Sequence, residues 1–211
     1  MASSHLDHDL PEVLDLPLAS GEPHWYWLGG RSSLDFVNTL RERWRRQVET
    51  LVTPGDLATW LTQARMLPEP KRVPRAVLAD ARDLREAIDD CVVATLAGER
   101  ARSASVSLID DWLVHAGVRP QLLRGPDGLP RLGERAAADS PRRALGTIAL
   151  DAATMLGTEE QRARIRICES DTCSARFFDR SPAGARRWCS MRTCGNEAKA
   201  RRHRARAKGA A

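Results

Sequence analysis

The stretches CESDTC at 168–173 and CSMRTC at 189–194 place four cysteines, Cys168, Cys173, Cys189 and Cys194, within 27 residues at the spacing C-x4-C-x15-C-x4-C. Two short loops, each offering a pair of thiolates and separated by a hairpin-sized insert, can surround one tetrahedral ion at about 2.3 Å. The flanks fit that arrangement. Arg164 to Ile167 reads as a strand delivering Cys168, Arg176-Phe177-Phe178-Asp179 as the returning strand, and Arg187-Trp188 as the lead into Cys189, where the second pair opens a helix. Four thiolates leave no open coordination position, so the expected cofactor is one structural Zn2+ and not a catalytic one. Its binding energy substitutes for the core that so short a segment lacks, with Phe177, Phe178, Trp188 and Met191 as the expected apolar plug. On this reading, loss of one ligand unfolds the module and spares the rest. Permanent disulfides and a redox switch compete for the same residues, but a chain expected in the reducing cytoplasm disfavours them. Iron–sulfur ligation finds no specific support in the flanks.

Beyond the cysteines, residues 196–208 read NEAKARRHRARAK, with no Gly, Pro or large apolar residue. This is a helix-forming segment that cannot be a core helix. At 100° per residue Lys199, Arg202 and Arg206 form one ridge, and Arg201, Arg204 and Lys208 another nearly opposite. Arg186, Arg187 and Arg192 extend the positive charge onto the metal-bound part, and Asn196 and His203 are candidate base readers. Residues 161–211 hold 14 Lys or Arg against four acids, a net of +10, whereas residues 1–160 carry −5. A basic end on a mildly acidic body is the pattern expected when one part meets a polyanion. DNA is the first expectation for that partner, RNA the alternative, and an acidic protein met by an adaptor helix the third.

Upstream, the periodicity predicts a helical body. Residues His24 to Leu28 read as a short strand entering the Gly29-Gly30 turn. Leu34, Phe36, Val37 and Leu40 follow at helical spacing, with Ser32 or Ser33 as cap and a basic stretch Arg41 to Arg46 beyond. Thr53-Pro54-Gly55-Asp56 is a cap-and-proline helix start that leads to about Met66. Val77, Ala81, Leu84, Ile88, Cys91 and Thr95 mark the longest helix, in which Cys91 is a packing residue. Val106, Ile109, Trp112 and Ala116 mark another, ending at Gly117. Two apolar runs about Gly125-Pro126-Asp127-Gly128 predict a hairpin within 118–134. Ser140-Pro141 starts a final helix with Leu145, Ile148, Ala149, Ala152, Met155 and Leu156 inward, and Thr158 to Gln161 reads as a hinge. Such a body is long enough to fold without metal.

Composition narrows the function. With 211 residues, 42% hydrophobic and 29% charged, the chain fits one medium domain plus a small module. No apolar run approaches the roughly 20 residues of a spanning helix, so no membrane partner is expected. Residues 1–22 mix acids and prolines without a packed face and read as a mobile leader lacking a signal peptide, hence the cytoplasmic expectation. No Ser-His-Asp grouping, phosphate-cradling glycine loop or histidine ligand pair stands out, and an enzyme is the least supported class. Trp25, Trp27, Asp35 and Asn38 lie close in sequence and are candidates for a small-molecule pocket, against a structural reading in which Asp35 caps a helix or pairs with an arginine and Asn38 ties down a loop.

The stretch Cys168 to Lys208, with Arg187-Trp188-Cys189-Ser190-Met191 and Cys194-Gly195-Asn196, resembles the bacterial CGNR zinc-finger family. Leu34-Asp35-Phe36-Val37-Asn38-Thr39-Leu40, followed by Asp56-Leu57 and Trp60-Leu61, is similar to the ABATE domain that precedes this finger. Together the resemblance covers roughly residues 24–208. It implies a transcription regulator whose front domain senses a stress or metabolite and whose finger binds DNA, with Cys168, Cys173, Cys189 and Cys194 as the ligands. One position departs from the pattern: Glu197 stands where the family name has Arg. Either Arg192 or Lys199 fills that role, or this member binds DNA weakly. The resulting expectation is a mainly α protein with a minor β-sheet (α+β). It comprises a leader at 1–22, a helical sensor or dimerisation body at 23–160, and a treble-clef-like or ribbon-like zinc module at 161–211.

Overall fold

The computed structural model describes residues 25–117, 119–135 and 140–209; the leader expected at 1–22 lies outside them. Among the described residues the fold is mainly α, with three two-stranded antiparallel sheets. Residues 25–28 form no strand, contrary to the expectation. They are instead anchored by side chains: the Trp25 indole donates to Thr50 Oγ1 at 3.1 Å, and Trp27 stacks on Trp60 with centroids 5.5 Å apart. Helix α1 (Ser32–Val37) starts after an extended Arg31 with no side-chain cap. Ser33, one of the two expected caps, instead gives its amide and hydroxyl to the Asp151 carboxylate at 2.9 and 2.6 Å. Arg31 grips the same carboxylate at 2.7 Å and Gln161 at 2.7 Å, so α1 is fastened to the C-terminal helices of the body.

Strands β1 (Leu40–Arg41) and β2 (Val48–Glu49) pair across a short turn. Helix α2 (Pro54–Gln63) opens with a reciprocal capping box in which Thr53 accepts from the Asp56 amide and Asp56 accepts from the Thr53 amide. The long helix α3 (Arg75–Ala97) buries Val77, Ala81, Leu84, Ile88 and Cys91, and ends where Gly98 turns left-handed at φ 67°. Burial raises the Cys91 thiol above its ordinary range, consistent with a packing role. In α4 (Ser103–Leu113), Ile109 and Trp112 point inward as expected, whereas Val106 is 52% exposed. Ser105 is buried in this helix and donates to Asp90 at 2.7 Å. The helix also stops four residues before Gly117.

The hairpin is formed by β3 (Arg119–Arg124) and β4 (Pro130–Arg135), with Leu122 opposite Leu132, both exposed. Helix α5 (Pro141–Gly157) starts at the Ser140 cap and buries the expected stripe except Leu156, which is half-buried. The expected hinge is instead a helical turn, α6 (Glu159–Arg162), pinned by the Arg162 bond to the Leu156 carbonyl at 2.7 Å. Strands β5 (Ile165–Ile167) and β6 (Arg176–Phe178) then pair antiparallel. Ile165 is fully buried in the same apolar core as α1, α2, α3 and α5, and Phe178 packs against that core. The segment bearing the cysteines is therefore built onto the body.

Candidate metal centre and basic helix

Strand β5 delivers Cys168, whose amide bonds the Ala175 carbonyl at 2.9 Å and so folds the 169–174 loop back towards β6. The second pair sits at a π-helical turn, Met191–Gly195, which runs into helix α7 (Asn196–Gly209). The Ser190 hydroxyl caps that turn by accepting from the Thr193 amide at 3.3 Å. These two loops bring all four sulfurs within 4.8 Å of one another. Cys173 and Cys189 lie 3.8 Å apart, Cys189 and Cys194 3.7 Å. Sulfurs at about 2.3 Å from a tetrahedral ion stand about 3.8 Å from each other, whereas a disulfide holds them near 2.05 Å. These two edges thus have the size of a ZnS4 tetrahedron's, and all five cysteines are free thiols. A dication is what allows four thiolates to share so small a space. The donor set fits one structural Zn2+.

A small apolar cluster surrounds the sulfurs. Phe177 is fully buried, and Trp188 and Leu28 pack beside it. The other two residues expected in the plug lie elsewhere. Phe178 faces the body, and Met191 is 48% exposed, its thioether lying over Gly195, where a Cβ would stand 3.0 Å from it.

The first cysteine loop is joined to the body by buried polar contacts. Asn38 mimics a paired strand residue: its Nδ2 donates to the Arg176 carbonyl at 2.9 Å and its Oδ1 accepts the Arg176 amide at 2.8 Å. The buried Arg176 guanidinium meets Asp89 of α3 at 2.6 and 3.1 Å, and Arg43 reaches the same carboxylate at 3.2 Å. The Phe178 amide donates to the Gly29 carbonyl at 2.8 Å, and Arg180 to the Gly30 carbonyl. Asp35 holds that glycine loop by accepting the Gly29 amide at 2.8 Å. A Cβ on Gly29 would stand 2.7 Å from the Asp35 nitrogen, so the close approach requires glycine. Burial pushes the Asp35 carboxyl up to about 7, with Asp151 adding to the rise and the Gly29 amide and Arg180 opposing it. Trp25, Trp27, Asp35 and Asn38 thus make contacts within the protein. None of them lines the cleft of about 260 Å³ formed by Asp80, Asp83, Leu108, Asp111, Trp112, His115 and Arg142.

The basic residues divide by what they touch. Arg186 lies over the Phe177 ring and donates to the Cys189 carbonyl at 2.6 Å, bracing the second cysteine loop. Arg187 pairs with Glu169 at 2.5 Å and stacks on Trp188. Arg201 pairs with Asp171 and, at 3.1 Å, with Glu197, whose carboxylate also accepts from Thr172. Glu197 therefore ties the start of α7 to the first cysteine loop. Asn196 donates to the Arg192 carbonyl at 2.9 Å. Lys199, Arg204 and Arg192 are exposed. Arg202, Arg206 and Lys208 occupy α7, but their side chains lie outside the described ones.

Sequence reasoning missed Asp179 as an organiser. Fully buried, it accepts the Ser181 amide at 2.9 Å and the Arg186 amide at 2.8 Å, shaping the loop between β6 and the second cysteine pair. Burial opposes its charge, but those bonds outweigh it and hold the carboxyl below its ordinary range. The Asp-x-Ser turn signal was readable in the sequence. The Arg176–Asp89 pair spans 87 positions and left no such signal.

Two known families match the chain. The ABATE family, described as "Putative stress-induced transcription regulator", matches residues 30–159, and the CGNR zinc finger matches residues 164–207. No curated protein matches the chain. No helix among the described residues is long and apolar enough to cross a membrane. With its helical body matched along 30–159 and the four clustered cysteines falling inside 164–207, the chain belongs to the ABATE family and carries a CGNR zinc finger.

Proposed function

We propose that this protein is a transcription regulator that binds duplex DNA through the zinc finger and α7, with residues 23–160 as an effector-sensing or dimerising body and 161–211 as the binding module. The observation that carries this reading is the composition of α7. It leaves the metal centre with a cation on every long side chain after Glu197 except His203, and with no apolar face to bury. Lys199 and Arg204 are exposed, and Arg201 is held back against the first cysteine loop. A rod of this kind gains little from packing and much from counterion release on a phosphate backbone. The zinc supplies rigidity at its root and does no chemistry. The family descriptions are of regulator and zinc-finger type, which supports a non-enzymatic, cytoplasmic reading.

Fluorescence anisotropy of the zinc-loaded full chain on a random-sequence DNA duplex, across a series of salt concentrations, tests this. Affinity is expected to fall steeply with salt. Charge reversal at Lys199, Arg202 and Arg206 is expected to weaken binding on all sequences and to flatten the slope by about 0.9 for each phosphate left unneutralised. Tighter binding to structured RNA would assign the helix to RNA instead. No retention of DNA at low salt would reject the nucleic-acid reading in favour of an adaptor for an acidic protein.

A further inference from the structure

The turn between β1 and β2 carries the sequence Arg41-Glu42-Arg43-Trp44-Arg45-Arg46-Gln47, a basic stretch with an aromatic residue at its centre that the zinc-finger reading does not use. It belongs to the body, yet it lies against the first cysteine loop. The Arg43 amide donates to Ser174 Oγ at 3.0 Å, next to the ligand Cys173. The Arg176 guanidinium stands 5.7 Å from the Trp44 ring centroid. The same loop also meets the start of α7 through Thr172 and Asp171. The cysteine loop thus touches two basic elements, one from each part of the chain.

The turn is built to present its tip. Glu42 and Gln47 both adopt left-handed backbone conformations, at φ 48° and 51°, which non-glycine residues rarely hold without a compensating use. The Arg45 and Gln47 amides both bond the Glu42 carbonyl, at 2.8 and 3.1 Å, closing the loop tightly. Its inner cations are engaged: Arg41 stacks on Tyr26, and Arg43 meets Glu86 and Asp89. The outer ones lie at the surface. Arg46 pairs with Glu42, and Arg45 stands 4.0 Å from the same carboxylate, so two cations share one acid. Between them Trp44 is 49% exposed, in a chain that buries Trp25, Trp60 and Trp112.

An exposed indole flanked by surface arginines matches a duplex backbone, with phosphates for the guanidiniums and a sugar face for the ring. We propose that the Glu42–Gln47 turn is a second DNA-contacting element. The duplex lies across the first cysteine loop, with Trp44, Arg45 and Arg46 on one side and α7 on the other. This rests on the reading of α7 given above and extends that surface onto the body. A sensing event in the body then acts on DNA through a contact that the body itself makes.

Binding of the zinc-loaded full chain to a random-sequence duplex tests this with Trp44→Ala, Trp44→Phe and Arg45→Glu. Trp44→Ala is expected to weaken binding about tenfold, with Trp44→Phe restoring most of it. Arg45→Glu is expected to flatten the salt dependence by about 0.9 or more. Zinc content and the urea midpoint are expected to stay at wild-type values, because both side chains are half-exposed. Arg45→Ala supplies the readout should Trp44→Ala lower that midpoint. If the turn variants keep wild-type affinity and slope while charge reversal on α7 abolishes binding, the turn does not touch DNA and the α7 reading stands. If the wild-type chain does not bind DNA at all, both fail together.

Discussion

The buried arginines of the body's junction and core, Arg176 and Arg85, and the cations of α7 are chemically alike and differently placed. Arg176 and Arg85 are buried, and each meets a carboxylate: Asp89 for the first, Glu49 and Glu86 for the second. On α7, Lys199 and Arg204 are exposed. A buried cation that loses its partner keeps the desolvation cost without the attraction, whereas an exposed one gives up almost nothing to the fold. Charge removal in the first region therefore shows up as lost stability, and in the second as lost binding.

The largest effect is expected at the metal. Cys189→Ser should release about one equivalent of zinc, measured by a chromophoric chelator, and remove a ligand set with an apparent binding energy of about 10–16 kcal/mol. A self-contained module would leave the body's melting transition in place. The structure places Ile165 and Phe178 in the body's core and Asn38 on the backbone of Arg176, so the thermal midpoint of the whole chain is expected to fall. An unchanged body transition in the zinc-free variant would separate the two parts after all.

Next in size is Asp89→Ala, which leaves Arg176 buried with no carboxylate on its guanidinium. A cost of about 3–5 kcal/mol in urea unfolding is expected. Arg43 keeps Glu86 and shares little of that loss. A change within about 1 kcal/mol would mean that water reaches the pair, and the contrast with α7 would weaken.

These two sites also mark how far the sequence could be read. The four ligands were legible because zinc fixes donor type and loop spacing within 27 residues. The capping box at Thr53 and the start at Ser140 were legible because helix ends use local chemistry. The strand at 24–28 and the hinge at 158–161 failed for the opposite reason. Trp25 finds Thr50 and Arg31 finds Gln161, partners 25 and 130 positions away, and those contacts override the local pattern. Val106 turned outward because Ser105 bonds Asp90 on the neighbouring helix, a pairing that periodicity does not encode. The polar junction of Asn38, Arg176 and Asp89 was hidden in the same way: each residue looks ordinary until α1, α3 and β6 meet.

A smaller effect is expected at Asp35, where pH gives the sign. Its folded carboxyl titrates at about 7 against an ordinary 3.8, so the folded state favours the protonated form. The resulting cost is absent below about 3.8, accrues as pH rises and is complete above about 7. Asp35→Asn keeps an oxygen for the Gly29 amide and carries no charge. It should stabilise the chain more at about pH 8 than at about pH 5.5, by up to about 2 kcal/mol of difference. Equal urea midpoints for variant and wild type at both pH values would show that Asp35 is charged at no cost and that the junction is wetter than its contacts suggest.

The smallest effect on the fold, and the sharpest on the comparison, is expected at Glu197, where the chain departs from its family's tetrad. Its carboxylate receives Thr172 and Arg201, and Arg201 also meets Asp171, all at the surface. Pairs so exposed contribute about 0–1 kcal/mol, and an acid at a helix start adds about 0.3–1 kcal/mol. Glu197→Arg should therefore lower the urea midpoint only slightly while retaining zinc. It removes one of the acceptors that hold Arg201 and places a new cation at the root of α7. DNA affinity should rise and the salt slope steepen by about 0.9 for each further phosphate neutralised. The opposite outcome, several kcal/mol of lost stability with an unchanged slope, would make the clamp part of the fold. The α7 root would then belong with Arg176 and Asp89, and the boundary between folding and binding arginines would lie further along the helix.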